Sequence, residues 1–281
     1  MTKMIGFMQG RLCDQVDNKI QAFPWRDWQK EFRLAENINI RLIEWTLDQE
    51  RLHENPLMTK NGREQIKKLC SLHNITVSTL TGDCFMQAPF WKTDPSKSEV
   101  LKNVFLSVCK AASELSVNLI VVPLVDNGAL RTKTQEDTLV DFMLKNEEFF
   151  RNLGLKIVFE SDYKPDELAR FIDRFDNNLF GINYDIGNSA SMGFNPIYEC
   201  NAYGNRILNV HVKDRLLGGD TVPLKKGAAD FMLTFSALSS SLYDGHFILQ
   251  TARAQKGEHV KVLNAYKIMV ENWISQFFNH H

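Results

Sequence analysis

The sequence lacks any pair of cysteines at a spacing typical of metal sites or redox sites. Its five cysteines stand alone at positions 13, 70, 84, 109 and 200, and no CxxC motif is present. Unpaired thiols of this kind are typical of a reducing compartment. The opening stretch, MTKMIGFMQGRL, also lacks the long apolar run of a signal peptide. We therefore expect a cytoplasmic protein.

Two further absences exclude classes of partner. No apolar run approaches the roughly 18–20 residues that a membrane span needs. Positive charge is not in excess either, because 33 Lys and Arg residues face 34 Asp and Glu residues. A nucleic-acid-binding surface would require a basic face. The sequence therefore predicts neither a membrane nor a nucleic-acid partner, and it leaves open a homo-oligomer.

A GxGxxG motif is absent after the first predicted strand, which counts against a doubly wound open sheet, the alternative architecture. Eight strand-like runs instead alternate with about eight helical stretches, and strict alternation implies a parallel sheet. Eight strand–helix units in 281 residues predict the α/β fold class and a single (β/α)8 TIM barrel, with residues 1–281 as one domain. The predicted strands span 4–8, 41–46, 76–81, 118–124, 155–161, 180–186, 207–213 and 246–251.

The helices are predicted from apolar residues at spacings of three and four. The clearest cover 96–115, where Ser96 and Glu99 suggest a capping box, and 134–153, which Gly154 should end. Others are predicted at 27–37, 61–73, 165–175 and 258–278, with the weakest patterns at 194–204 and 228–241.

Polar residues interrupt the last four predicted strands at positions that should face the same side of the sheet. In the stretch VFESDY, Glu160 and Asp162 share the side of Val158, and the corresponding positions on the next three strands hold Asp185, His211 and Gln250. Alternate residues of a barrel strand face the axis, and barrel enzymes build their sites at the carboxyl ends of strands. These side chains are therefore expected to form one arc around the mouth of the barrel.

Burying carboxylates is costly unless something compensates their charge. Two carboxylates, an imidazole and an amide oxygen suit one divalent ion, either Mn²⁺, Mg²⁺, Co²⁺ or Zn²⁺. We therefore predict a metal site of Glu160, Asp185, His211 and Gln250, with Gln250 as a weak fourth ligand.

The stretches GFMQGRL, VFES, YDIGN and NVHVKDR together resemble the sugar-phosphate isomerase/epimerase family, the xylose isomerase-like TIM barrels. The resemblance runs from about residue 4 to 275. It implies a divalent metal held by Glu, Asp, His and Glu at the ends of strands five to eight. It also implies a small sugar or sugar phosphate as substrate, whose proton an acidic ligand moves.

Two positions depart from the family pattern. Gln250 replaces the usual final Glu, and Asn188 stands where a His commonly follows the aspartate. Gln can offer a carbonyl oxygen to a metal but cannot take up a proton. Epimerisation normally uses two bases on opposite faces, whereas isomerisation through an enediolate needs only one, for which we predict Glu160. An isomerisation or a dehydration therefore fits these residues better than an epimerisation does, unless Lys213, Glu44 or Asp214 supplies a second base.

Five further residues are predicted to contact the substrate, and three of them have a structural alternative. Arg11 would bind an anionic group or anchor a loop, and Arg253 would bind an anionic group. Glu44 would bind hydroxyls or bridge to Arg11. Lys213 shares the face of His211, and Asp214 would orient His211 or a loop. They form the predicted substrate-binding set: Arg11, Glu44, Lys213, Asp214 and Arg253.

Other functions remain as alternatives. An endonuclease-IV-like DNA repair enzyme shares the barrel but would need more His and acidic ligands. A non-catalytic sugar-binding paralogue is a stronger alternative, because Gln250 is the kind of change that disables a two-base site. A metal-dependent hydrolase or aldolase is also compatible with the pattern.

Overall fold

Eight parallel strands close into a barrel in the computed structural model, which describes residues 4–278. The first strand pairs with both the second and the last, so no open edge remains in this sheet. The prediction of a (β/α)8 barrel is confirmed, and every barrel strand lies within two residues of its predicted bounds. The barrel strands are β1 (Ile5–Met8), β2 (Leu42–Thr46), β3 (Thr76–Thr81), β4 (Leu119–Leu124), β5 (Lys156–Ser161), β6 (Phe180–Asp185), β7 (Ile207–Val212) and β10 (His246–Leu249).

A separate two-stranded antiparallel ribbon follows β7, formed by β8 (Asp214–Arg215) and β9 (Thr221–Val222). Helices cover the outside of the barrel, and none among residues 4–278 combines the length and apolar character needed to cross a bilayer. They are α1 (Trp28–Asn37), α2 (Lys60–His73), α3 (Asp83–Gln87), α4 (Pro95–Glu114), α5 (Lys133–Lys145), α6 (Glu147–Asn152), α7 (Pro165–Ile172), α8 (Ile186–Ser191), α9 (Pro196–Tyr203), α10 (Phe231–Ser240) and α11 (His259–Phe278).

Three details of the helices differ from the predictions. The cap of α4 is Asp94, whose side chain accepts the backbone N–H of Lys97, because Asp94 directly precedes a proline in the first turn. The Ser96–Glu99 capping box is therefore wrong. The helix predicted over 134–153 is broken at Asn146 into α5 and α6. Two short helices, α3 and α8, were not predicted, and both lie at the mouth of the barrel.

Successive side chains of the strands alternate between the two faces of the sheet, as the sequence predicts. On β5, Ile157 and Phe159 belong to the large core between sheet and helices, whereas Val158 packs inside the barrel with Leu119 and Val121. A second small interior cluster contains Met8, Leu42 and Ile248. The inner face thus has apolar clusters below the polar residues at the carboxyl ends of the strands.

Gly6 is required by this interior packing. A Cβ atom at Gly6 would lie 2.8 Å from Leu42 Cγ and 2.9 Å from Ile248 Cδ1. Both distances are closer than carbon atoms approach without overlap, so a larger residue would push β2 or β10 away from β1.

Outside the barrel, a buried carboxylate joins α5 to α7. Arg170 donates two hydrogen bonds to Glu136 (2.8 and 2.7 Å), and Arg174 and the Tyr163 hydroxyl donate one each. The hydrogen bonds from Arg170, and then those from Tyr163 and Arg174, outweigh the effect of burial and lower the pKa of Glu136 to about 2. Glu136 therefore stabilises the fold only when it is ionised.

We expect Glu136→Gln to lower the free energy of unfolding at pH 7 by roughly 2–4 kcal/mol. The pKa is lower in the folded state, so this contribution is complete above about pH 5 and is lost as the pH falls toward 2. Urea unfolding at pH 7, 4 and 3 should show the difference between wild type and variant shrinking. Asp137→Asn, whose partly exposed side chain pairs with Lys133 and Arg174, is the control and should change stability less than Glu136→Gln does. A difference that does not depend on pH would contradict the assignment.

Candidate active site

A cavity of about 700 Å³ opens at the carboxyl ends of the barrel strands. Side chains following seven of the eight barrel strands line it, all except β2, so it lies where barrel enzymes carry their sites. Five of the residues predicted for the site lie in its wall: Arg11, Glu160, Asp185, Lys213 and Gln250.

The centre of the site is a buried group of two carboxylates and one imidazole. Glu160, Asp185 and His211 come from the adjacent strands β5, β6 and β7, and each offers a ligand atom within 4.8 Å of the other two. Asp185 and His211 are direct neighbours in the register of β6 and β7. His211 Nδ1 lies 3.2 Å from Glu160 Oε2. The structure thus brings together three of the four predicted ligands as a compact donor set.

Glu44 lies beneath this group and supports His211. It is fully buried, and its Oε1 lies 2.7 Å from His211 Nε2. The Thr81 hydroxyl and the Asn209 amide also donate to its carboxylate. A carboxylate on Nε2 orients the ring and leaves Nδ1 facing Glu160, the arrangement that supports metal-binding histidines. Glu44 was predicted to contact substrate or Arg11, but its burial and its partners make it a support of His211.

The acidic surroundings change how His211 and Glu44 ionise. Burial alone would lower the pKa of His211, but the charge of Glu44 and the hydrogen bonds to Glu160 and Glu44 raise it to about 10. Burial alone would raise the pKa of Glu44, but the charge and hydrogen bond of His211 and the bond from Thr81 lower it. A metal ion bound to Nδ1 of His211 would replace the second proton of the charged ring.

Two asparagines hold the Glu160 carboxylate from both sides. Asn183 Nδ2 donates to Oε2 (2.8 Å), and Asn188 Nδ2 donates to Oε1 (2.7 Å). Asn188 lies in α8, a helix capped by Asp185, whose Oδ1 accepts the backbone N–H of Asn188 (2.8 Å). Asn188 thus connects two of the predicted ligands, Glu160 and Asp185. The sequence shows this residue only as a departure from the family pattern.

Lys213 and Arg215 form a cationic wall beside Asp185. Lys213 Nζ lies 3.0 Å from Asp185 Oδ2 and 3.0 Å from Asn188 Oδ1, and Arg215 also donates to Asn188 Oδ1. The ammonium group neutralises Asp185. A metal ion at Asp185 would therefore compete with Lys213 for the same carboxylate.

Gln250 follows β10 at the edge of the cavity, and its amide oxygen is buried without a hydrogen-bond partner. A buried acceptor without a partner costs roughly 1–3 kcal/mol. The donor set therefore fits a divalent ion, because carboxylate oxygens, an imidazole nitrogen and a free amide oxygen are the ligands that Mn²⁺, Mg²⁺, Co²⁺ and Zn²⁺ take.

Arg11 is buried in the cavity wall. Its Nε donates to the carbonyl of Thr251 (2.8 Å) and its NH1 to Gln21 Oε1 (2.7 Å). Burial, and then the nearby charge of Arg253, lower its pKa to about 9. The loop that carries it is fixed by Glu31, which accepts the N–H groups of the residues on either side of Arg11.

Asp214 holds a loop, which is one of its two predicted roles, whereas Arg253 holds a loop in place of its predicted contact with an anionic group. Asp214 is fully buried, and its carboxylate accepts the backbone N–H groups of Lys226, Gly227 and Ala229. Both oxygens are therefore used to shape the loop after β7. Arg253 NH2 donates to the carbonyl of Cys13 (2.7 Å), in the loop after β1. Asp162, which shares the parity of Glu160, lies beyond the end of β5 and pairs with Arg131.

Asp83 lines the same cavity and was not predicted from the sequence. It is the first residue of α3, just after β3, and only 8% of it is exposed. Burial, followed by the charges of Asp48 and Glu160, raises its pKa well above the usual value. The signal that would have found it is its position, since an acidic residue directly after a barrel strand lies at the mouth.

The comparisons with known proteins agree with this architecture. The family profile described as xylose isomerase-like TIM barrel matches residues 32–267. An inosose dehydratase of Geobacillus kaustophilus (strain HTA426) is 25% identical over 173 residues, covering 53% of this chain and 55% of the relative. The chain thus spans about half the length of this curated relative.

Two solved structures share the fold over nearly their whole length. The IolI protein with a bound zinc atom has a TM-score of 0.75 at 17% identity, covering 98% of this chain and 99% of that one. A D-allulose 3-epimerase from Methylomonas sp. has a TM-score of 0.77 at 14% identity, covering 96% and 98%. With a family profile over most of its length and a matching closed barrel, the chain belongs to the xylose isomerase-like TIM barrel family.

Proposed function

We propose that this protein is a divalent-metal-dependent isomerase of a small sugar or sugar phosphate, in which Glu160 removes a proton from the carbon next to a carbonyl group. The observation that carries the proposal is the placement of Glu160. Its carboxylate lies in the cavity wall beside Asp185 and His211, and two asparagine amides fix both of its oxygens. The names of two relatives, inosose dehydratase and D-allulose 3-epimerase, suggest the same class of substrate.

The residues that would hold the ion are Glu160, Asp185 and His211, with the free amide oxygen of Gln250 as a fourth donor. When bound, a divalent ion would polarise the substrate carbonyl and stabilise the negative charge of an enediolate. Glu44 would keep the His211 ring in the orientation that binding requires.

The groups of the site that can accept a proton favour proton transfer on one face of the substrate. Glu160 accepts the proton from the hydroxyl-bearing carbon and returns it to the carbonyl carbon, and the hydroxyl proton moves to the carbonyl oxygen. Together these transfers convert an aldose into a ketose, with Glu160 as the one base that acts on carbon. Gln250 has no proton-accepting group, and Lys213 is paired with Asp185. Isomerisation therefore suits this site better than the two-base exchange of a 3-epimerase.

Hydrogen exchange tests this proposal directly. Protein loaded with Mn²⁺ should catalyse exchange of a substrate C–H proton with deuterated water, followed by proton NMR. The panel should contain inosose, D-allulose, common aldoses and ketoses, and their phosphates. Exchange of one member together with formation of its isomer supports the proposal, whereas no exchange across the panel contradicts it.

The alternative function is a non-catalytic sugar-binding member of the family. The observations that favour it are Gln250 and the ion pair of Lys213 with Asp185, which together lower the negative charge available to a metal. Elemental analysis after dialysis against Mn²⁺ separates the two functions. The enzyme should retain about one ion per chain, and the binding protein need not retain any.

Gln250→Glu should tighten metal binding by about tenfold or more, because it turns a neutral donor into a charged one. It would also place a base beside the cavity, and 3-epimerisation would then become measurable. Metal affinity is measured by competition with a fluorescent chelator. The matched control is Gln21→Glu, which adds the same charge to the same cavity beside Arg11. Equal tightening in both variants would show a general charge effect and contradict a role for Gln250 as a ligand.

A further inference from the structure

The cavity that contains Glu160 also extends behind β6, into the layer between the barrel and its helices. Asn183 and Asp185 are on the inner face of this strand, whereas Ile182 and Tyr184 are on its outer face and belong to the core under the helices. All of these side chains line the same cavity. We call the part outside the barrel the side chamber, and its wall includes Leu168, Ile182, Tyr184, Phe194, Glu199 and Tyr203.

The side chamber is enclosed and mostly apolar. Leu168 of α7, Ile182 and Tyr184 of β6 and Tyr203 of α9 are all buried. The whole cavity, at about 700 Å³, lies in the size range of sites for drug-sized molecules, so a small sugar beside Glu160 would leave the side chamber open. The chamber therefore has room for a chemical group of its own.

Glu199 brings a carboxylate to this apolar wall. The hydroxyl groups of Tyr184 and Ser189 donate to its Oε2, and the Tyr203 hydroxyl donates to its Oε1 (2.7 Å). Three donors suit a carboxylate, which accepts hydrogen bonds and donates none. Oε1 accepts one bond fewer than Oε2 and therefore has a lone pair left for a further donor.

The carboxylate of Glu199 has no opposite charge beside it. No Lys, Arg or His within residues 4–278 forms an ion pair with it, and burial raises the pKa of its carboxyl group while the three hydroxyl groups oppose that rise. A buried carboxylate without a cationic partner is unfavourable. A positively charged ligand in the side chamber would supply the missing partner.

The surroundings of this carboxylate suit an ammonium group that carries N–H donors. Tyr184 and Tyr203 place aromatic rings in the wall, and aromatic rings attract cations where water is excluded. Oε1 of Glu199 has room for an N–H donor, which a primary ammonium group supplies and a quaternary one lacks. Leu168 and Ile182 would contact the carbon atoms that carry the nitrogen.

We propose that the side chamber binds a primary ammonium group, with Glu199 as its charged partner. This inference goes beyond the proposed function and does not depend on it. The ammonium group would belong either to a small amine that binds alone or to an amino substituent of the sugar. The second source is compatible with the fold, because consecutive residues of α8 contact the two carboxylates: Asn188 donates to Glu160, and Ser189 donates to Glu199.

Calorimetric titration of the purified protein at pH 7 tests the site. The amines are propylamine and D-glucosamine, and their neutral counterparts are 1-propanol and D-glucose. At least one amine should bind about tenfold or more tightly than its counterpart, because the charged group alone forms a charge-assisted hydrogen bond with Glu199. Preference for propylamine identifies a separate amine as the source, and preference for D-glucosamine alone identifies a sugar substituent. Tetramethylammonium, which has no N–H, should bind more weakly than the preferred amine.

Glu199→Gln keeps the shape of the side chain and removes its charge. It should weaken binding of the preferred amine by about tenfold or more and leave the neutral counterpart within about twofold. Tyr203→Phe is the second variant, since it keeps the aromatic ring and frees Oε1 for the ligand, and it should tighten amine binding. Asp220→Asn removes a carboxylate elsewhere in the cavity wall and is the control, which should change neither affinity.

Equal binding of each amine and its neutral counterpart by wild type overturns the inference, and so does a preference that Glu199→Gln retains. A purely structural Glu199 would lower the melting temperature of both variants and leave amine affinity unchanged. If Glu199→Gln does not fold, Tyr203→Phe decides, because unchanged or weaker amine binding in that variant overturns the inference. Propylamine binding involves no enolisation, so failure of this site leaves the proposed function to the separate exchange experiment.

Discussion

Glu160→Gln is expected to lower substrate C–H exchange by at least about 10³-fold, because an amide cannot accept the proton. The substitution keeps the shape of the side chain, so loss of exchange reports on proton transfer. Metal binding should survive in part, because Asp185, His211 and the new amide oxygen remain. The measurement is proton NMR in deuterated water with Mn²⁺-loaded wild type and variant.

The surroundings of Glu160 predict a second effect of this variant. Asn183 and Asn188 donate to opposite oxygens of the carboxylate, and a glutamine can accept only one of these bonds. The other contact would bring two N–H donors together, so a melting temperature a few degrees lower is expected.

Asp162→Asn is the matched control for Glu160→Gln. Asp162 lies two residues along the chain, lines the same cavity and is already paired with Arg131. It should keep exchange within about threefold of wild type. Exchange that survives in Glu160→Gln but disappears in Asp162→Asn would mean that the base is the other carboxylate of the VFESDY stretch.

The predictable part of this site lies on long strands. The period of two places Val158 and Glu160 on one face of β5, and strict alternation of strands and helices makes β5, β6 and β7 neighbours. These two facts were enough to expect Glu160, Asp185 and His211 at one place. The structure agrees in both burial and distance.

Contacts across the barrel could not be predicted from the sequence. Glu44 was expected to face inward, but its partner His211 is 167 residues away on the opposite part of the sheet. Which inward side chains meet depends on depth along the barrel axis, and alternation does not specify that depth. Glu44 was therefore assigned to the substrate although its carboxylate lies below the cavity.

Short elements at the mouth were missed for a different reason. Helices α3 and α8 have five and six residues, too few for a helical period to be visible in the sequence. They carry Asp83 and Asn188, both of which line the cavity. Asp214 and Arg253 were included in the substrate-binding set because they follow barrel strands, but the Asp214 carboxylate and Arg253 NH2 form hydrogen bonds with backbone groups of neighbouring loops.

His211→Ala is expected to abolish metal binding, which elemental analysis after dialysis against Mn²⁺ would show as a fall from about one ion per chain to none. The imidazole is the one nitrogen donor of the group, and Asp185 is already paired with Lys213. Glu44→Gln should weaken binding by about 10- to 100-fold, because it replaces the charged acceptor that orients the ring with a neutral amide. His259→Ala is the control, since this buried histidine contacts Asp14 outside the cavity.

Loss of metal must be distinguished from loss of the fold, because His211→Ala leaves the fully buried Glu44 without its main partner. A stranded buried charge costs roughly 3–5 kcal/mol, so the single variant should melt at a clearly lower temperature. The double variant Glu44→Gln/His211→Ala removes that charge and should recover part of the lost stability. It should still bind no metal, because the imidazole is absent. Retention of about one Mn²⁺ ion per chain by this stable double variant would mean that the ion is held elsewhere, and the assignment of Glu160, Asp185 and His211 would be wrong.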